Sequence, residues 1–121
     1  MGLDQYATTK RNNKTINTDF AYWRKHNALQ GWMENLWEKK GRPNQHEDDA
    51  SFNCVELELE QIDLLNLLKD VTFGGLPETS GFFFGGDSRF DEHYKEKTLD
   101  FIERALKEIE NGNQVFYSSW W

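Results

Sequence analysis

Hydrophobic and polar positions along the chain follow two periods, and each change of period marks an element. Residues 2–8 alternate imperfectly, with Leu3, Tyr6 and Ala7 set among polar neighbours, and predict a short N-terminal strand. Residues 10–18, KRNNKTINT, are polar, turn-rich and locally cationic and predict a solvated loop. Residues 19–37, DFAYWRKHNALQGWMENLW, then repeat at helical spacing. At 100° per residue Tyr22, His26, Leu29, Met33 and Leu36 fall within one arc, flanked by Lys25, Trp32 and Trp37. Asp19 is the expected N-cap, and Lys39, Lys40, Gly41 and Pro43 supply a C-terminal stop. Trp23, Asn27 and Gln30 form a second face of this predicted helix, and Arg24 points away from the first.

After a loop, FNCVELEL at 52–59 sets Val55, Leu57 and Leu59 against Cys54, Glu56 and Glu58, which predicts a half-buried strand. From Leu59 the period becomes helical: Ile62, Leu65 and Leu68, with Leu64, Leu67 and Val71 alongside, predict a second helix that ends before Gly74, Gly75 and Pro77. GFFFGG at 81–86 cannot turn all its rings toward one core, because alternate side chains of an extended chain face opposite sides. It carries no phosphate-loop pattern, and its glycines serve turns and its rings packing. Asp87 or Ser88 opens a third helix marked by Tyr94, Thr98, Phe101, Ile102, Ala105, Leu106 and Ile109, with Asn111 and Gly112 as its exit. The ending QVFYSSWW predicts a strand in which Val115, Tyr117 and Ser119 face opposite to Phe116, Ser118 and Trp120. Together these elements predict a single α+β domain over 1–121. About three helices pack on a short, about three-stranded antiparallel or mixed sheet, with the N- and C-terminal strands paired.

Composition narrows the function classes. The chain has 121 residues, which suits one domain, and its 15% aromatic content, with five Trp and nine Phe, predicts a core of bulky rings. A net charge of −7 argues against a protein that binds nucleic acid directly, because such proteins set many Lys and Arg against the phosphates. Residues 43–68 contain no Lys or Arg but hold Glu47, Asp48, Asp49, Glu56, Glu58, Glu60 and Asp63. The ordinary reading of that stretch is a solvated face; the sharper one is a negative surface for a basic partner. Cys54 is alone, so no intramolecular disulfide is expected, and it reads as a small buried side chain in a reducing compartment. The N-terminus lacks a signal-peptide pattern and no apolar run approaches the ~18 residues of a membrane span, so a cytoplasmic, non-membrane protein is expected.

No catalytic, metal or cofactor site is expected. Cys54, Ser118 and Ser119 are candidate nucleophiles and His26, His46 and His93 candidate bases, but no GxSxG or related signature joins them. Asp91, Glu92, His93 and Glu96 lack the HExxH spacing that puts ligands on one helix face. The strongest binding candidates are Trp23, Arg24, Lys25 and Asn27: an indole to stack on, two cations for an anion, and an amide to read a polar edge. Tyr6, Tyr94 and Trp120 are candidate wall residues if the terminal strands and third helix converge there.

The combination of MGLDQY, YWRKHNALQGWM, the cysteine-containing segment before the second helix, LPETSGFFFG with FDEHY, and FYSSWW resembles a family of small proteins encoded by tailed phages, notably cyanophages, and by prophages. The resemblance spans nearly the whole chain. It implies a phage context and the cytoplasm of an infected host cell, without an activity to transfer. His26 stands where the family leads one to expect a small residue, and Gln30 where it leads one to expect His. Family members are sometimes labelled phosphoglycerate kinase, a label that a 121-residue chain without a nucleotide motif does not fit. The expected function is therefore a non-enzymatic phage accessory protein that binds a host or phage macromolecule, most simply a protein. The alternative is a protein, or simple enzyme, that holds an anionic metabolite or nucleotide near Arg24, Lys25 and Asn27.

Overall fold

Two asparagines make the first reversal of the chain. Asn12 and Asn13 both take left-handed backbone angles, φ 52° and 65°. Arg11 pairs with Lys14 across them, the arrangement of a two-residue hairpin turn whose twist suits antiparallel strands. The computed structural model describes residues 3–47, 51–73 and 92–121. Their elements are β1 (Asp4–Arg11), β2 (Lys14–Arg24), α1 (Asn27–Lys39), β3 (Leu57–Leu59), α2 (Gln61–Phe73), α3 (Glu92–Glu110) and β4 (Gln114–Trp120). The four strands form one sheet in the order β2-β1-β4-β3, with every neighbouring pair antiparallel. The fold is thus α+β with three described helices, and the terminal strands pair as expected; the sheet has one strand more than the three anticipated.

The extra strand is β2, which replaces both the loop expected at 10–18 and the first two turns of the helix expected from Asp19. Asp19 is therefore a strand residue and not a helix cap; its N–H is taken by the side chain of Asn17. Phe20, Tyr22 and Trp23 are ring residues that fit a pleated surface, and once β1 lies beside them the alternation wins: Ala21 and Trp23 turn inward, Tyr22 and Arg24 outward. Lys25, at φ 57°, breaks the strand, and the helix begins at Asn27. Its inward stripe is Leu29, Met33 and Trp37, four residues apart. Gly41, at φ 87°, closes its end as expected, with Gly41 N–H on the Glu38 carbonyl and Arg42 N–H on that of Trp37. Gly112 repeats this closure on α3.

All three helices lie on the same face of the sheet. Leu29, Met33 and Trp37 of α1, Leu64, Leu67 and Val71 of α2, and Phe101, Ile102 and Ala105 of α3 join Ala7, Trp23, Leu57, Leu59, Val115 and Tyr117 in one core. Each large apolar side chain so buried contributes roughly 1.5–3 kcal/mol. The leucine-rich stripe of α2 splits, since Ile62 and Leu65 remain 58% and 42% exposed. The expected strand at 52–59 shortens to β3, and Cys54 is exposed at φ 59° rather than buried, because pairing with β4 starts only at Leu57. Its N–H still bonds the Ser119 carbonyl. The expectations for Asp48, Asp49, the turn at 74–77, GFFFGG at 81–86, the start of the third helix and Asp91 fall outside the described residues. None of the described helices is long and apolar enough to cross a membrane.

Candidate functional site

The register of the sheet decides which of the expected site residues meet. Asp4 pairs with Arg24 on one side and Trp120 on the other, so these three form one row across the outer face, away from the helices. Tyr6 lies between Tyr22 and Ser118 in the next row. The Tyr6 and Tyr22 ring centroids are 5.4 Å apart, and the Tyr22 hydroxyl donates to Asp4 Oδ1 at 2.6 Å. That bond, made to a carboxylate, is the main reason the Tyr22 hydroxyl holds its proton above the usual tyrosine range. Lys97 of α3 reaches round the β2 edge to within 5.6 Å of the Tyr22 ring centroid. Arg24 is exposed and Trp120 is 61% exposed.

The other end of this face is sealed. Phe116 is only 8% exposed, with Lys10 Nζ 4.5 Å from its ring centroid and paired to Glu56 at 2.9 Å. Acidic residues from the stretch at 43–68 are consumed in the same way: Asp63 takes Lys40 at 2.5 Å, and Glu60 lies 3.9 Å from the same ammonium. The last two tryptophans divide the work at the chain end. Trp121 is tied inward, its indole donating to the Phe52 carbonyl and its N–H to Asn53 Oδ1, which leaves Trp120 standing outward.

Trp23 and Asn27 do not belong to this surface. Trp23 is fully buried, donates to Thr98 Oγ1 at 3.2 Å and meets Phe101 edge-on at 4.9 Å. Asn27 is fully buried at the start of α1, with neither amide atom hydrogen-bonded among the described residues. The expected grouping of Trp23, Arg24, Lys25 and Asn27 on one helix is therefore corrected. The strand sends alternate residues to opposite faces and Lys25 sits in the turn beyond it. Arg24, Tyr6 and Trp120 come together; the side chain of Tyr94 lies outside the described residues. Tyr22, which helical spacing assigned to the core, joins the outer face at 41% exposure. Its signal was present in the ring-rich run at 20–23, whose residues suit a strand as well as a helix.

Beneath the sheet lies a buried polar network. Gln5 accepts from His26 N–H and donates to the His26 carbonyl and to the Tyr117 hydroxyl, which donates in turn to Gln30 Oε1 at 2.5 Å. Burial pushes the Tyr117 ionisation far above its ordinary value. Other candidate reactive groups serve backbone: the His46 ring bonds the Cys54 carbonyl and Ser119 Oγ donates to the Phe52 carbonyl. No group of three or more metal-ligating side chains occurs among the described residues.

Fold and surface together define a two-layer α+β domain that presents an aromatic patch, with Arg24 and Asp4 in it, on the outer side of its sheet. Comparison of the chain with protein-family models, curated proteins and solved structures finds no match.

Proposed function

We propose that this is a non-enzymatic phage accessory protein that binds a host or phage protein through the outer face of its sheet, in the cytoplasm of the infected cell. The observation that carries the reading is the Arg24, Asp4, Trp120 row with Tyr6 and Tyr22 beside it, on adjacent antiparallel strands. Trp, Tyr and Arg are the side chains that most often dominate protein interfaces, because each combines a large contact area with a polar group. Sheet pairing holds them in place, so little ordering cost remains for binding. The resemblance to tailed-phage proteins supports the context. Arg24 in this row, and Lys25 next to it in the chain, favour a partner whose contact region is acidic or neutral.

The test is capture from host and phage-infected lysates, followed by affinity measurement on the purified captured protein. Trp120→Ala and Arg24→Ala are each expected to weaken binding by about 30-fold, the equivalent of about 2 kcal/mol for an interface anchor. An unchanged affinity in both variants removes the outer face from the interface.

A further inference from the structure

A concavity of about 390 Å³ opens between α1 and α2, within the roughly 300–1,000 Å³ range of small-molecule sites. Two hydrogen bonds mark its ends, one between the helices and one from the residue that follows α1. At one, the Trp32 indole N–H donates to Asp70 Oδ2 at 2.8 Å; at the other, Lys40 Nζ donates to Asp63 Oδ2 at 2.5 Å. Asp63 Oδ2 also accepts the Glu60 N–H, so one oxygen of this carboxylate holds both the ammonium and the helix start.

The remaining polar groups of the cleft are unspent. Lys39 and Lys69 line it, and among the described residues neither forms an ion pair or hydrogen bond. The amides of Asn35 and Asn66, one from each helix, also line it, without a side-chain bond among the described residues. Among the described residues Lys10, Lys40 and Lys107 are paired with carboxylates, whereas Lys39 and Lys69 keep their charge for the cleft. Trp32 and Leu36 add an apolar wall, and the bond to Asp70 fixes the plane of the indole.

We propose that the cleft between α1 and α2 binds a small phosphorylated metabolite of sugar-phosphate or mononucleotide size. Lys39 and Lys69 supply charge for the phosphate, which a strongly hydrated ammonium recognises as a point charge. Asn35 and Asn66 each offer a donor and an acceptor to hydroxyls or a base edge. The free oxygen of Asp70 accepts from a ligand hydroxyl or amine, and the apolar part of the ligand lies against Trp32 and Leu36. The mixture of donors, acceptors and cations suits this class better than bare phosphate, which would use only the lysines, or an uncharged sugar, which would leave them idle. The site is separate from the outer sheet face and stands whether or not that face binds a partner.

The experiment is a thermal-shift and titration series with ribose 5-phosphate, nucleoside monophosphates, inorganic phosphate and the matching uncharged ribose and nucleosides. It uses the full chain and a Lys39→Gln, Lys69→Gln variant. Both lysines are exposed, so the unliganded variant is expected to melt with the native protein. At least one phosphorylated metabolite is expected to raise the melting temperature, to bind at least tenfold more tightly than its uncharged counterpart and than inorganic phosphate, and to lose at least tenfold in the variant. It is also expected to shift the Trp32 indole N–H resonance of the native protein, assigned with Trp32→Phe. The proposal is overturned if no phosphorylated compound binds at millimolar concentration, if the uncharged counterpart or inorganic phosphate binds equally well, or if binding leaves the Trp32 resonance in place. The resonance shift is read on native protein, so it decides the matter even if the double variant is unstable.

Discussion

Gln5 holds the backbone of His26 from both sides, accepting its N–H at 2.8 Å and donating to its carbonyl at 3.0 Å. A side chain on β1 thereby does for the residue before α1 what a neighbouring strand does for a strand residue, and it fixes where the strand ends and the helix begins. The same amide also donates to the Tyr117 hydroxyl, so three buried elements meet on one residue. Gln5→Leu, close to it in volume, withdraws all these bonds from a fully buried site. It is expected to lower the unfolding free energy by about 2–4 kcal/mol, measured by urea denaturation. A change below about 0.5 kcal/mol would show that the network is not held together by this side chain.

Tyr117 gives the protein an alkaline limit. Its folded-state ionisation lies above the unfolded value of 10.0, because burial disfavours the phenolate. Below pH 10 both states keep the proton and the stabilisation is complete. Above it the unfolded chain loses the proton while the folded one retains it, so stability falls by up to about 1.4 kcal/mol per pH unit from this group. Tyr117→Phe is expected to be less stable at neutral pH by about 1–2 kcal/mol, since Gln30 Oε1 loses its donor, and to show a shallower decline above pH 10. Equal alkaline slopes in the two proteins would refute the assignment.

Trp23 and Trp120 are expected to behave as opposites. Trp23→Ala removes a fully buried indole and its bond to Thr98, and should cost about 3–5 kcal/mol of stability. Trp120→Ala removes a ring that is 61% exposed, and should leave stability within about 0.5 kcal/mol while weakening partner binding. Chemical denaturation of both variants separates scaffold from surface.

Gly41 and Gly112 test the helix endings. Both hold positive φ, 87° and 89°, and a Cβ at either position meets nothing within 4 Å. Alanine there is expected to cost about 1–2 kcal/mol through backbone strain alone, without steric repacking. Melting curves of the two variants check this, and near-equal losses are expected because the two closures share one geometry.

Much of the architecture is legible from local periodicity. The run from Thr98 to Ile109, the glycine exits at 41 and 112, and the alternation of Val115, Tyr117 and Ser119 against Trp120 all appear where spacing places them. These segments pack one well-defined face on the core, so one period is favoured and competing readings bury the wrong residues. The candidate surface was legible only in part. Tyr6, Arg24 and Trp120 could be named, but not that they share a face without Trp23 and Asn27.

Local patterns along the chain suffice for the α+β class, the pairing of the two terminal strands, most core residues and the stops of α1 and α3. These depend on side-chain period and on the φ preferences of single residues. That residues 14–24 are a strand follows from long-range pairing, because a half-polar, ring-rich segment that suits either period takes the one that lets its backbone bond to β1. The outer row of Arg24, Asp4 and Trp120 and the α1–α2 cleft of Lys39 and Lys69 have the same origin. Both are relations between segments far apart in the chain, set by strand register and helix packing, which no local window of sequence contains.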